Sequence, residues 1–137
     1  MPWEHFAHGA DLGVRGYGAT PAEAFAAGAL ALTAAVTDPD DVAARETVEV
    51  ECAGRDLSLL FYDYLNRIIF EMATRHLLFG SFRVELTEAG LRSRLTGEPV
   101  DRKRHAPAVE PKGATLTALD VHEDAPGRWR AQCVIDV

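Results

Sequence analysis

A chain of 137 residues has the usual size of one domain. Its formal net charge of −7 argues against a protein whose main function is to bind the phosphate backbone of a nucleic acid. The hydrophobic fraction of 47% is ample for a core, while the acidic balance suits metal cations or a basic partner protein. The longest nearly apolar stretch, 22–36, is rich in alanine and contains Glu23, so it is not predicted to span a membrane. We therefore expect one domain over residues 1–137. We also expect it in the cytoplasm, because its first residues form no apolar signal core.

The first part of the chain is predicted to form two short strands and a helix. The strands are expected over Trp3–His8 and Leu12–Tyr17, on either side of Asp11. The sequence Thr-Pro-Ala-Glu at 20–23 is a capping box with proline at the first helical position, and the Ala-rich helix that follows is expected to end near Val36.

The middle of the chain is predicted to form a strand and a second helix. Residues 48–52 alternate between apolar side chains and glutamates, as a half-buried strand does, and the helix is expected to begin near Asp56. Its apolar residues keep helical spacing over about four turns, so they share one face and are expected in the core. They are Leu57, Leu60, Phe61, Tyr64, Leu65, Ile68, Ile69 and Met72.

The remainder is rich in predicted strands. Residues 82–87 and 91–96 form one expected hairpin, and residues 115–122 and 129–137 form a second strand pair. Two helices packed on a mostly antiparallel sheet make an α+β domain.

A long loop is predicted between these two strand pairs, over residues 97–113. It contains three prolines and eight ionisable side chains, and loops of this length in compact domains are usually functional or disordered. The basic run at 102–104 either contacts RNA or nucleotide phosphates or is simply solvated, and the sequence leaves both interpretations open.

Two aspartates are the candidate metal ligands. Asp11 lies between Gly9 and Gly13, and Asp136 precedes the last residue, Val137. If the sheet brings the two aspartates together, their negative charges repel each other unless a cation neutralises them. Oxygen-only ligands suit Ca²⁺, Mg²⁺ or Mn²⁺. An aspartate in a Gly-rich turn is also a common turn former, so a purely structural role stays open.

Several segments, taken in order, resemble the archease family, and the resemblance spans essentially the whole chain. The central loop contributes Gly97, Glu98, Asp101, His105, Glu110 and Lys112, followed by Thr115. The other matching segments are His-Gly-Ala-Asp-Leu-Gly at 8–13, the capped helix start at 20–25, Gly-Arg-Asp at 54–56, Leu-Asn at 65–66 and Ile-Asp-Val at 135–137.

The resemblance implies an accessory protein that is not itself an enzyme. Such a protein promotes guanylylation and multiple turnover of an RtcB-type RNA ligase in tRNA splicing and RNA repair, and touches RNA and GTP only through the ligase. It also implies a divalent metal site at Asp11, Asp136 and a main-chain or terminal oxygen of Val137. The residues expected to face the partner or its nucleotide are His8, Glu98, Asp101, His105, Glu110 and Lys112.

The chain departs from the family pattern at three positions. Tyr64 stands where tryptophan is frequent, Arg67 where an acidic residue is frequent, and Thr117 where histidine is frequent. The last two put in doubt the partner-facing surface and any role of that histidine.

Two other functions are compatible with the sequence, although no GxSxG, HExxH or GxxxxGK[ST] pattern is present. One is a small metal-dependent phosphohydrolase that uses Asp11, Asp136, Glu98 and His105. It would lack a second cluster of metal ligands and a nucleophile with an evident base. The other is a general chaperone, which rests only on acidity and small size.

Overall fold

The computed structural model describes residues 2–137, which form two antiparallel sheets, three α-helices and a short 3₁₀ helix over Pro39–Asp41. The elements are β1 (Trp3–His8), β2 (Asp11–Gly18), α1 (Pro21–Val36), β3 (Glu46–Ala53), α2 (Leu57–Arg75), β4 (Leu77–Thr87), β5 (Gly90–Pro99), α3 (Arg102–His105), β6 (Gly113–Ala114), β7 (Asp120–Ala125) and β8 (Arg128–Asp136). One sheet has five strands in the order β1-β2-β8-β6, with β7 also paired to β8, and the other has three in the order β3-β5-β4.

This architecture confirms the predicted α+β class. The strands belong to two separate sheets, however, because the last strand returns to pair with β2 near the start of the chain, while β3, β4 and β5 pair only with one another. Pairings between strands so far apart in the chain cannot be predicted from the local sequence pattern.

Helix α1 begins at the predicted capping box and lies unusually close to β2. The Glu23 amide donates to Thr20 Oγ1 at 3.2 Å, and the Ala19 amide donates to Glu23 Oε2 at 2.7 Å. A Cβ atom at Gly16 would lie 2.2 Å from the Gly28 amide nitrogen, so only glycine at this position allows the helix and strand backbones to approach as they do.

Helix α2 buries the predicted apolar face. Its first turn is capped by Asp56, whose Oδ1 accepts a hydrogen bond from the Leu59 amide at 2.9 Å. Leu60, Phe61, Tyr64, Leu65, Ile68 and Ile69 are buried, while Leu57 and Met72 are partly buried against the same core. Within residues 2–137, no helix combines the length and the apolarity needed to cross a membrane.

Two predicted boundaries are wrong. The loop expected over 97–113 is largely ordered, because β5 extends to Pro99, α3 occupies 102–105 and β6 occupies 113–114. The strand expected over 115–122 begins only at Asp120. The preceding residues turn instead, with Ala118 at a φ of 54° and the Thr115 hydroxyl donating to the Val134 carbonyl at 2.9 Å.

Candidate functional site

The two candidate metal ligands lie at the same end of neighbouring strands. Leu12 of β2 pairs with Ile135 of β8, so Asp11 just before Leu12 and Asp136 just after Ile135 are adjacent across the strand pair. Neighbouring strands are about 4.8 Å apart, and side chains alternate between the two faces of a sheet. Both carboxylates therefore lie on the face opposite to the buried Ile135 side chain. Asp11 is partly exposed and Asp136 is exposed.

Two further predicted residues flank this pair. His8 of β1 is the register partner of Asp11, and its side chain is exposed. On the far side, Gly113 of β6 pairs with Asp136, and the Lys112 amide donates to the Asp136 carbonyl at 2.8 Å. The sheet thus places His8, Asp11, Asp136 and Gly113 in one row across four strands, and the Lys112 amide lies beside it.

Strand β6 is held in this row by helix α2. The buried Ala114 amide donates to Asn66 Oδ1 at 2.8 Å. The Asn66 side chain therefore connects the core helix to the strand beside Asp136, a role that the sequence analysis did not identify.

The donors in this row fit a hard divalent cation. Two carboxylates and a main-chain oxygen of Val137 offer oxygen atoms alone, which Ca²⁺, Mg²⁺ and Mn²⁺ prefer. No group of three or more His, Cys, Asp or Glu side chains in the part of the chain that is described is arranged to hold a metal ion. Main-chain oxygens and water would therefore have to complete the coordination of a cation held by Asp11 and Asp136.

Glu98 forms the centre of a second, buried cluster. Its Oε1 accepts a hydrogen bond from Arg104 Nη2 at 2.7 Å, and its Oε2 accepts one from the Ala43 amide at 2.7 Å and one from His105 Nε2 at 3.0 Å. The Arg104 guanidinium is the largest cause that lowers the pKa of Glu98 to about 2, and the Ala43 amide follows. Glu98 is therefore ionised at neutral pH although its side chain is only 2% exposed.

His105 is held in one tautomer by this cluster. Its Nδ1 lies 2.9 Å from the Asp101 amide, which can only donate, so Nδ1 accepts and carries no proton. The proton of the neutral ring is then on Nε2, which donates to Glu98. Asp101 also caps α3, because its Oδ1 accepts hydrogen bonds from the Lys103 and Arg104 amides at 3.1 and 3.2 Å.

These contacts correct the expected set of outward-facing residues. As whole residues, Glu98 and His105 have only 1% and 3% of their surface exposed, and their side chains contact each other. They therefore cannot present their side chains to a partner. The basic run at 102–104 is also not uniformly solvated, since Arg104 is paired with Glu98. Among the residues expected to face a partner, those with exposed side chains are His8, Asp101, Glu110 and Lys112.

The three departures from the family pattern have different structural settings. Tyr64 is fully buried, and its hydroxyl is hydrogen-bonded to Ser93 Oγ at 2.8 Å, so it is a core residue. Arg67 lies on α2 within 3.8 Å of Glu71, and Thr117 is exposed in the turn before β7.

Comparisons with known proteins give one family over the full length. The model of the Archease protein family matches residues 3–137. Two relatives named protein archease are 41% identical (Thermococcus gammatolerans) and 35% identical (Pyrococcus furiosus), each over 139 residues covering 98% of both chains. The solution structure of Methanobacterium thermoautotrophicum protein 1598 matches with a TM-score of 0.80, 28% identity and 99% of both chains covered.

A second solved structure supports the fold alone. The crystal structure of a Thermotoga maritima protein, described as an archease and possible chaperone, is 16% identical and has a TM-score of 0.66 over 98% of this chain and 96% of that one. With the family model and close relatives all matching along the whole length, the chain belongs to the archease family.

Proposed function

We propose that this chain is an accessory protein of an RtcB-type RNA ligase, acting in the cytoplasm in tRNA splicing and RNA repair. It promotes guanylylation and multiple turnover of the ligase and is not itself an enzyme. The observation that carries the proposal is the pairing of β2 with β8, which sets Asp11 beside Asp136 at an accessible end of the sheet in a chain of the archease family.

The proposed metal site consists of Asp11, Asp136 and a main-chain oxygen of Val137. A bound Ca²⁺, Mg²⁺ or Mn²⁺ would supply positive charge that attracts phosphate oxygens. Two hydrogen bonds fix the backbone around the proposed site. The Lys112 amide donates to the Asp136 carbonyl, and Asn66 accepts from the Ala114 amide of β6.

The exposed side chains beside the row and along the segment 101–112 are the proposed contact with the ligase. A ligase site that handles a triphosphate and RNA ends is expected to be basic, and an acidic protein with a net charge of −7 is electrostatically complementary to it. His8, Asp101, Glu110 and Lys112 belong to this proposed surface, and contact with RNA and GTP occurs through the ligase.

The test replaces the two carboxylates. Asp11→Asn and Asp136→Asn keep the size of each side chain but remove the charge that attracts a cation, so stimulation of the ligase should be abolished while circular dichroism stays unchanged. The assay is multiple-turnover ligation with the purified ligase, GTP and Mn²⁺. Asp63→Asn is the matched control, because Asp63 is exposed on α2 and lies outside the row. Calorimetric titration with Ca²⁺ gives a second readout, in which the two Asn variants should lose binding.

The possible outcomes distinguish a failure of the proposed metal site from a failure of the proposed function. Full stimulation by both Asn variants would refute the role of the carboxylates, and no stimulation by the wild-type protein with an active ligase would refute the function. Prevention of aggregation of unrelated proteins without any effect on the ligase would favour a general chaperone instead. The phosphohydrolase alternative is weakened because two of its four residues, Glu98 and His105, are buried against each other.

A further inference from the structure

The outer face of the three-stranded sheet carries an ordered set of polar side chains. Pairing of β5 with β3 and β4 aligns Thr47, Thr96 and Ser81 in one row across the sheet. The next row on the same face contains Glu49, Arg94 and Arg83. Both arginines are exposed.

The two arginines are directly opposite each other. Like charges in register on neighbouring strands destabilise a sheet unless an opposite charge lies nearby. Arg94 has such a partner, since its Nε lies 3.1 Å from Glu49 Oε1. Arg83 forms no ion pair with any residue in the range 2–137, so one positive charge of this pair is left without compensation.

These side chains line a cleft of about 420 Å³ on the sheet surface. Beside it, the β4–β5 register shifts between Phe79 and Ser81, an irregularity of the kind that bends a strand and increases its twist. Arg83 and Arg94 also border a neighbouring cleft of about 900 Å³, whose lining includes Glu49, Glu51 and Glu85. The carboxylates of this face therefore lie on one side of the smaller cleft, and its other side carries only hydroxyl groups. Its lining residues are Thr47, Ser81, Phe82, Arg83, Arg94 and Thr96.

We propose that this cleft binds the phosphate group of a small phosphate monoester. Guanidinium groups donate paired hydrogen bonds to phosphate oxygens, and the hydroxyl groups of Thr47, Ser81 and Thr96 supply further donors. A phosphate here neutralises the uncompensated charge between Arg83 and Arg94. This site is separate from the row at Asp11 and does not depend on the proposed ligase function.

The surroundings favour one phosphate group over a nucleic-acid backbone. The next row along the sheet places Glu51 and Glu85 on either side of Arg92, so a longer polyanion would meet carboxylates. Phe82 packs against the core and is not free to stack on a base. Recognition is therefore directed at the phosphate and not at the base.

The test is calorimetric titration of the purified protein, without ligase, with inorganic phosphate and with GMP at low salt. Arg83→Gln should weaken binding of both by about tenfold or more, as expected when a charge-assisted hydrogen bond to the anion is lost. Arg92→Gln is the matched control, because it removes the same charge from the same face one row away and should leave binding unchanged. Circular dichroism checks the fold of each variant.

Three results would overturn the proposal. They are the absence of saturable binding to the wild-type protein, an equal loss in both arginine variants, and equal binding of an oligoribonucleotide with and without a terminal phosphate. The last result would mean that the face binds backbone phosphates. A loss confined to Arg83→Gln supports the site, whatever the outcome of the ligase assay.

Discussion

Leu65→Ala tests the central packing of the fold. Leu65 lies in the middle of α2 with 0% of its surface exposed, among the core residues that both sheets contribute. Truncation removes the transfer free energy of the buried side chain and leaves a cavity, and such changes cost about 2–5 kcal/mol. An unfolding entropy of about 2.1 cal/mol/K per residue corresponds to about 0.3 kcal/mol/K for this chain. A loss of about 3 kcal/mol therefore lowers Tm by about 10 °C.

Leu59→Ala is the matched control on the same helix. Leu59 is 51% exposed, so the same chemical change should alter the free energy of unfolding by less than about 0.5 kcal/mol. Urea denaturation followed by circular dichroism measures both variants, and the slope with urea should remain that of the wild-type protein. The reasoning is refuted if Leu65→Ala unfolds at the wild-type urea concentration or if Leu59→Ala costs as much.

Two other substitutions test the buried cluster and the contact between α1 and β2. Glu98→Gln should lower stability at neutral pH, since Arg104 loses its charged partner. A carboxyl whose pKa is lowered by folding from its usual value of 4.5 to about 2 stabilises the fold above pH 4.5, and this stabilisation is lost as the pH falls toward 2. Glu98→Gln should therefore make the loss of stability between about pH 4.5 and 2 less steep. Urea titrations at pH 7 and 3 measure both effects, and an unchanged acid dependence would contradict the assignment. Gly16→Ala should cost more than the ~1–3 kcal/mol usual for overpacking, since the added Cβ meets the backbone of Ala24 and Gly28. A Tm equal to that of the wild-type protein would show that the helix can move away.

The helices were predictable because the interactions that define them are local. The cap of α1 depends on Thr20 and Glu23, three residues apart, and the buried face of α2 depends on spacings of three and four residues. The hairpin of β4 and β5 was similarly visible from alternation on both sides of a short turn. These features can be inferred from the geometry of one helix, or of two strands joined by a short turn.

The candidate sites depended on contacts between distant parts of the chain. Asp11 and Asp136 were candidates from their local sequences, but only the register of β2 with β8 makes them neighbours. Glu98 and His105 were expected to face a partner, yet the Ala43 amide and Arg104 turn the carboxylate inward and bury both residues. Likewise, only the pairing of β4 with β5 sets Arg83 opposite Arg94. Strand register follows from which faces the whole chain can bury together, and that choice is made by packing across the fold and not by any short segment.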